Sequence, residues 1–300
     1  MKEYSQYIVS AFVQGPCKGN PAAVCIIENR ERSKKGAGGD EMLPFEKMKQ
    51  IAKENNLSET AFCICTHPDR YNPTFSIRWF TPGCEVPLCG HATLASSFIL
   101  FTHYFKEAKT LKFQSLSGEL TVKREYTSNH TDENDFILSM DFPCYELERV
   151  TDSEEFKAVI FALGLNEEDK KLKSTKIQIF KGIDYVALFE DKEEIINFKP
   201  NFEKIASIPG NRNLLITSRG GYIHDIGEVD FVSRYFFPKE QIDEDPVTGS
   251  AHCSLAPLWA KLLNKTRLVA YQASSRGGIL HLELTPQRVI IAGRSAYSQP

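Results

Sequence analysis

No stretch of the 300-residue chain is long and apolar enough to cross a bilayer as a helix. The longest apolar run, Ala92 to Phe101, is interrupted by Thr93, Ser96 and Ser97. It falls short of the roughly 20 residues a spanning helix needs. An excess of charge of one sign is also lacking. The 36 basic and 39 acidic side chains give a formal net charge of −3, which leaves no electrostatic footprint for nucleic acid. There is no GxGxxG, no GxxxxGK followed by Ser or Thr, no HExxH and no GxSxG. Those absences remove the simplest routes to a bound nucleotide, a metalloprotease zinc or a serine nucleophile. None of the eight cysteines forms a CxxC pair. The N-terminal segment, MKEYSQYIVSAF, reads as the start of a strand and not as a secretory h-region. The cysteines are therefore expected as free thiols, in a reducing, cytoplasmic setting.

What is present is ordinary globular usage, with 42% hydrophobic and 25% charged residues. Strand and helix signals alternate, which predicts a mixed α/β protein. Tyr7 to Phe12, Ala22 to Ile27, Thr60 to Cys65 and Phe75 to Phe80 read as strands. Leu43 to Asn55 reads as an amphipathic helix, and Ala92 to Phe105 as a helix apolar nearly all round and hence buried. Glu28 to Met42 is charged and Gly-rich and reads as an exposed loop. Thr127 to Asp135 reads as a linker between two halves. In the second half, Asp152 to Leu163, Phe202 to Ile208 and Ser250 to Leu263 have helical character. Tyr185 to Phe189, Leu214 to Thr217, Asp230 to Phe236, Ile279 to Leu284 and Arg288 to Ala292 read as strands.

The halves repeat. Arg78-Trp79-Phe80-Thr81-Pro82 matches Arg234-Tyr235-Phe236-Phe237-Pro238, Gly90-His91-Ala92 matches Gly249-Ser250-Ala251, and Phe113-Gln114 matches Tyr271-Gln272. Three weak matches in one order, each about half the chain apart, make one strong signal. In both halves an acid-containing loop feeds a Gly-x-Ala helix start. Free N–H groups at a helix start attract anions, so the two starts are expected to form a paired cradle. The alternative is two well-capped structural helices.

Four side chains near these loops have chemistry to offer. Glu59 stands between a helix and an apolar strand, where partial desolvation suits a carboxylate to proton transfer; a capping or surface role fits the position equally. Asp245 precedes Pro246, an arrangement that also serves as a plain turn. His91 lies at the first helix start, where the ring is expected to be neutral, and Ser250 is its counterpart. Cys89 also lies at that start, opposite Thr248 in the repeat. Two residues apart do not face each other on a helix, so a Cys89–His91 nucleophile pair is not expected. A zinc site from Cys84, Cys89 and His91 lacks a fourth ligand.

GNPAAV (Gly19 to Val24), NLSETAF (Asn56 to Phe62), RWFTP (Arg78 to Pro82), LCGHATLA (Leu88 to Ala95), DEDPVTGSAHC (Asp243 to Cys253) and SSRGGIL (Ser274 to Leu280) resemble the phenazine-biosynthesis PhzF-like family, and most nearly its eukaryotic branch. The resemblance implies a diaminopimelate-epimerase-like fold. Two pseudo-symmetric α/β domains would each wrap a barrel-like mixed sheet around a central helix, with the site in the cleft between them. The domains are expected at 1–128 and 129–300, the last strand, about 288–298, returning to the first. The family's reaction is a cofactor-free isomerisation in which a glutamate moves a proton. NLSET puts that glutamate at Glu59. CGHA puts the active-site histidine at His91, and DPVTGS puts an aspartate and a serine at Asp245 and Ser250. Epimerases of this fold use a cysteine from each half; here Cys89 fills one place and Thr248 the other, which disfavours a two-thiol mechanism.

The expectation is a cofactor-independent isomerase acting on a small carboxylate, with no metal and with neither nucleic acid nor membrane as partner. A homodimer is compatible with it. Glu59 is the base, with His91 and Asp245 orienting the substrate or relaying protons. Ser250 and the N–H groups near Gly90 and Gly249 bind the carboxylate, and Gly19 and Asn20 line the site or form a turn. The rival readings are a binding or regulatory protein without turnover and a hydrolase built on Cys89.

Overall fold

The computed structural model of the chain describes residues 3–27, 42–126, 136–165, 177–210, 212–240 and 242–298. The charged loop segment 28–41 and the linker Thr127 to Asp135 lie outside the described residues. The chain divides into two units. Met1–Val13, Asn20–Asp141 and Ala292–Pro300 make the first, and Gln14–Gly19 and Phe142–Ile291 the second.

Element order begins β1 (Tyr4–Ala11), β2 (Asn20–Ile27), α1 (Phe45–Asn55), β3 (Glu59–His67), β4 (Thr74–Phe80), β5 (Glu85–Val86), α2 (Gly90–Ile99), β6 (Thr110–Ser115), β7 (Gly118–Tyr126) and β8 (Phe136–Pro143). It continues β9 (Glu148–Arg149), α3 (Ser153–Ala162), β10 (Gln178–Lys181), β11 (Tyr185–Phe189), α4 (Lys192–Ile196), α5 (Phe202–Ala206), β12 (Leu214–Ile223), β13 (Gly227–Phe237) and β14 (Ile242–Glu244). The last elements are α6 (His252–Leu263), β15 (Arg267–Gln272), β16 (Gly278–Leu284), β17 (Arg288–Gly293) and β18 (Ser295–Tyr297).

In the first unit β1 pairs antiparallel with β2 and with β18. β2 runs parallel to β3, and β3 antiparallel to β4. β4 takes β5 antiparallel and β6 parallel, and β6 and β7 form a hairpin. The second unit repeats this succession. β10 and β11 are antiparallel, β11 and β12 parallel, and β12 and β13 antiparallel. β13 takes β14 antiparallel and β15 parallel, and β15 and β16 are antiparallel. Parallel neighbours require a crossover. Helix α1 supplies it between β2 and β3, and α2 between β4 and β6. Helices α4 and α5 do so between β11 and β12, and α6 between β13 and β15. The repeat read in the sequence is thus a repeat of strand pairing.

β2 is buried along nearly its whole length, which explains its unbroken apolar run. On one side Cys25, Phe62 and Phe80 meet Met48, Ile51 and Ala52 of α1. α2 packs against β1, β2 and β3 and is buried from His91 to Ile99. Its hydroxyls cost little there because each returns to the helix backbone. Thr93 Oγ1 donates to the Cys89 carbonyl at 2.6 Å, and Ser96 and Ser97 donate to Ala92 and Thr93 at 2.8 Å. In the second unit Val159 and Ile160 of α3, Ile195 of α4 and Ile205 of α5 close one face of β10 to β13.

Several boundaries differ from the sequence reading. The helix expected to run to Phe105 stops at Ile99 and continues as a π-helical turn, Leu100–Tyr104. The second buried helix begins at His252, not at Ser250. Residues 249–251 form a turn in which the His252 N–H donates to the Gly249 carbonyl at 3.0 Å. The symmetric pair of glycine-started helices is therefore met only in the first unit. The short strands β5, β9, β14 and β18 were too brief to give a period-2 signal.

Candidate active site

Glu59 is the first residue of β3, and local chemistry fixes it there. Helix α1 ends at Asn56, a left-handed cap with φ 47° whose N–H bonds to the Ala52 carbonyl. Three residues later the chain enters β3, with Glu59 opposite Ala22 of parallel β2. Asn20 opens β2 and is fully buried. Cys89 precedes α2 in an extended conformation, φ −145° and ψ 108°, and His91 is the second residue of the helix.

These four side chains meet. His91 Nε2 lies 3.2 Å from Glu59 Oε2. The approach is off the line of an aligned hydrogen bond, so it is a close polar contact. His91 Nδ1 lies 3.4 Å from Asn20 Nδ2 and 3.5 Å from Cys89 Sγ. Ser58 Oγ stands 3.4 Å from Asn20 Oδ1. The His91 side chain is 6% exposed and that of Glu59 15%. Burial pushes the His91 pKa down to about 3, so the ring is neutral near pH 7. The sequence reading attributed that neutrality to the helix start; the cause is desolvation. It also kept Cys89 and His91 apart. The rule for helical neighbours does not govern them, because Cys89 lies outside the helix and its extended backbone turns the thiol toward the ring. Among the described residues Glu59, Cys89 and His91 bring one donor atom each within 4.8 Å of one another, a set able to take a metal ion. Exposed Cys84 is not in it.

The second unit carries the other sequence candidates. The Asp245 carboxylate accepts from the Thr248 hydroxyl and closes the Asp-Pro-Val-Thr turn. Gln272 clamps that turn. Its Nε2 donates to the Asp245 carbonyl at 2.9 Å, and its Oε1 accepts from the Thr248 N–H at 2.9 Å. Gly249 is buried and Ser250 exposed. Gly19 has φ 63°; its N–H donates to the Gly277 carbonyl and its carbonyl accepts from the Arg276 side chain. Sequence reasoning missed Gln272 and Ser58, which no motif marked as polar partners of a site.

Strand register shows which positions correspond. Phe62 stands opposite Arg78, and Ile216 opposite Arg234. Glu59, three residues before Phe62, therefore corresponds to Asn213, three before Ile216. The second unit has a carboxamide where the first has a carboxylate, Thr248 where it has Cys89, and Ser250 where it has His91.

Comparison with known proteins decides the family. The phenazine biosynthesis-like protein family, PhzC-PhzF, matches residues 9–299. The chain belongs to that family. An uncharacterized isomerase of Pseudomonas aeruginosa is 38% identical over 294 residues, 98% of this chain and 96% of the relative. A human phenazine biosynthesis-like domain-containing protein is 36% identical over 297 residues, 97% and 95% of the two chains. The crystal structure of a PhzF-family protein from Enterococcus faecalis superposes with a TM-score of 0.79 at 38% identity, covering 99% and 98%. The fold is also that of a probable proline racemase from Agrobacterium radiobacter, 11% identical with a TM-score of 0.57 over 98% and 91%. This PhzF-family chain thus has the epimerase-type α/β fold. Among its described residues no helix is long and apolar enough to cross a membrane.

Proposed function

We propose that this PhzF-family chain is an isomerase that moves a proton on a small carboxylate, with Glu59 as the base and then the acid. The observation that carries the reading is the Glu59–His91 contact, in which a buried neutral imidazole stands 3.2 Å from a largely buried carboxylate. Relatives that match nearly the whole chain are named isomerases, which supports the reaction class. Asn213 at the corresponding position cannot accept a proton at its amide, so the chemistry is one-sided. Glu59 takes a proton from carbon, the electron pair stays on the substrate, and the same carboxyl returns the proton to another carbon. The cycle balances without an added reagent. Within the proposal the N–H group at Gly90 receives the carboxylate in the first unit, Gly249 and Ser250 offer the corresponding groups in the second, and Asp245 acts through the turn it closes with Thr248. A reducing cytoplasmic setting accords with eight free thiols.

The Cys89 Sγ to His91 Nδ1 distance of 3.5 Å raises a second reading, a thiol nucleophile. A ring whose pKa is about 3 is a poor base for a thiol, which weighs against it.

The test is to incubate the protein with small carboxylate metabolites in deuterium oxide and follow label entering carbon positions. Glu59→Gln lowers the exchange rate by about 10²–10⁴-fold with little change in affinity. Exchange at the parent rate in Glu59→Gln would remove the base. Ligands that raise the melting temperature yet never exchange would mark the chain as a binder.

A further inference from the structure

We propose that Asn20, which the sequence left either lining the site or forming a turn, is a positioning residue that sets the tautomer of His91. Asn20 is fully buried at the start of β2, with Ser58 on one side and His91 on the other. Its amide nitrogen only donates. The atom it meets, His91 Nδ1, is therefore the acceptor. The Cys89 thiol reaches the same nitrogen and can likewise donate S–H to it. A neutral ring carries one proton, and with Nδ1 accepting, that proton is on Nε2. Nε2 is the atom beside the Glu59 carboxylate. The other tautomer would set a lone pair against a carboxylate oxygen 3.2 Å away. Ser58 Oγ lies 3.4 Å from Asn20 Oδ1 and donates to it in this amide orientation. Ser58, Asn20 and His91 thus form a chain of polar contacts that leaves the ring proton on the nitrogen beside Glu59.

The consequence for turnover rests on Glu59 being the base, but the tautomer does not. Two-bond proton–nitrogen spectra of the full chain labelled with ¹⁵N-histidine report which ring nitrogen is protonated, the His91 signals being assigned by their loss in His91→Gln. The parent protein should show Nε2–H. Asn20→Asp presents an acceptor to Nδ1 and should move the proton there. Turnover should then fall by up to about 10⁴-fold, with no matching rise in KM. Ser58→Ala, a milder change, should leave a mixture of tautomers. Nδ1–H in the parent, or Nε2–H kept in folded Asn20→Asp, would overturn the proposal. So would a pure Nε2–H ring in Ser58→Ala, which keeps the test decisive if Asn20→Asp does not fold. Glu59→Gln separates the two readings. If it keeps turnover while the parent shows Nε2–H and Asn20→Asp shows Nδ1–H, the base is elsewhere and the role of Asn20 stands.

Discussion

Arg234 grips Glu244 through two parallel hydrogen bonds, Nε to Oε1 at 2.7 Å and Nη2 to Oε2 at 2.8 Å. Arg78 holds Glu85 in the same way, at 2.6 and 2.7 Å. Each guanidinium also lies over the phenylalanine two residues on, 5.2 Å from the Phe236 ring and 5.4 Å from that of Phe80. The acids stand just before the segments that carry Asp245 and Thr248 in one unit and Cys89 and His91 in the other. The paired fork is thus the clamp that sets each segment on its sheet.

The two clamps should differ in energy. The Arg234 side chain is 10% exposed and also donates from Nη1 to the Phe198 carbonyl at 2.6 Å, whereas that of Arg78 is 28% exposed. Arg234→Met leaves a buried carboxylate uncompensated and should cost about 3–5 kcal/mol. Arg78→Met should cost less, about 1–3 kcal/mol, because the Arg78 side chain is less buried while the acids left behind, 17% and 16% exposed, are alike. Urea unfolding of both variants measures this. Equal losses would show that burial does not set the difference.

Much of this was legible in the sequence, and the gaps have physical causes. Arg78-x-Phe80 and Arg234-x-Phe236 revealed the repeat because both residues lie on one strand. Their acid partners were hidden because the loops differ in length, seven residues from Arg78 to Glu85 and ten from Arg234 to Glu244. Asn213 could not be matched to Glu59, since strand pairing, not local sequence, relates them. The Cys89–His91 contact was missed because the reading assumed a helix one residue too early. Glu59 and His91 were found from type and position, yet nothing local said that they touch.

A sharper local test comes from Gly220. It lies in β12, between the paired positions Arg219↔Phe231 and Gly221↔Val229. A methyl group there would stand 2.2 Å from the Val229 carbonyl oxygen and 2.8 Å from its carbon. Both belong to the backbone of β13, so no side chain can swing aside. Gly220→Ala should lose about 1–3 kcal/mol or more. Gly83→Ala, whose nearest neighbour is the Thr81 hydroxyl at 3.8 Å, should stay within about 0.5 kcal/mol. Thermal melts of the two variants suffice to compare them.

The thiols should react in order of exposure. Cys84 is exposed, while burial pushes the pKa values of Cys25, Cys63 and Cys253 up to about 12 and that of Cys17 to about 11. The thiolate is the nucleophile, so the buried four are doubly protected. Iodoacetamide on the native protein should label Cys84 first and leave those four untouched. Unfolding without reductant should expose eight alkylatable cysteines by mass. Fewer than eight would reveal a bridge, and native labelling of Cys63 at the rate of Cys84 would mean that the sheet opens locally.

The last prediction concerns pH. Burial lowers the pKa of His252 from 6.5 to about 4, and that of His91 to about 3. In the unfolded chain both protonate near 6.5; in the folded chain both resist until the medium is far more acidic. Between these values the unfolded state binds more protons, so stability falls as pH falls. The contribution of His252 is complete above pH 6.5 and is lost progressively down to about 4. The slope is about 1.4 kcal/mol per pH unit for each histidine, on the order of 3 kcal/mol for His252 across the window. His252 gives the cleaner test because it belongs to the other unit of the chain. Its Nδ1–H donates to the Thr248 carbonyl at 2.8 Å, and its ring packs on Phe231 at 5.8 Å. His252→Asn keeps a donor but cannot take up the proton. Urea unfolding of both proteins at intervals from pH 6.5 to 4 should give the variant a shallower loss, by about 1.4 kcal/mol per unit. Equal slopes would mean that the folded protein protonates His252 as readily as the unfolded chain does, and that the ring is not sealed beneath Phe231.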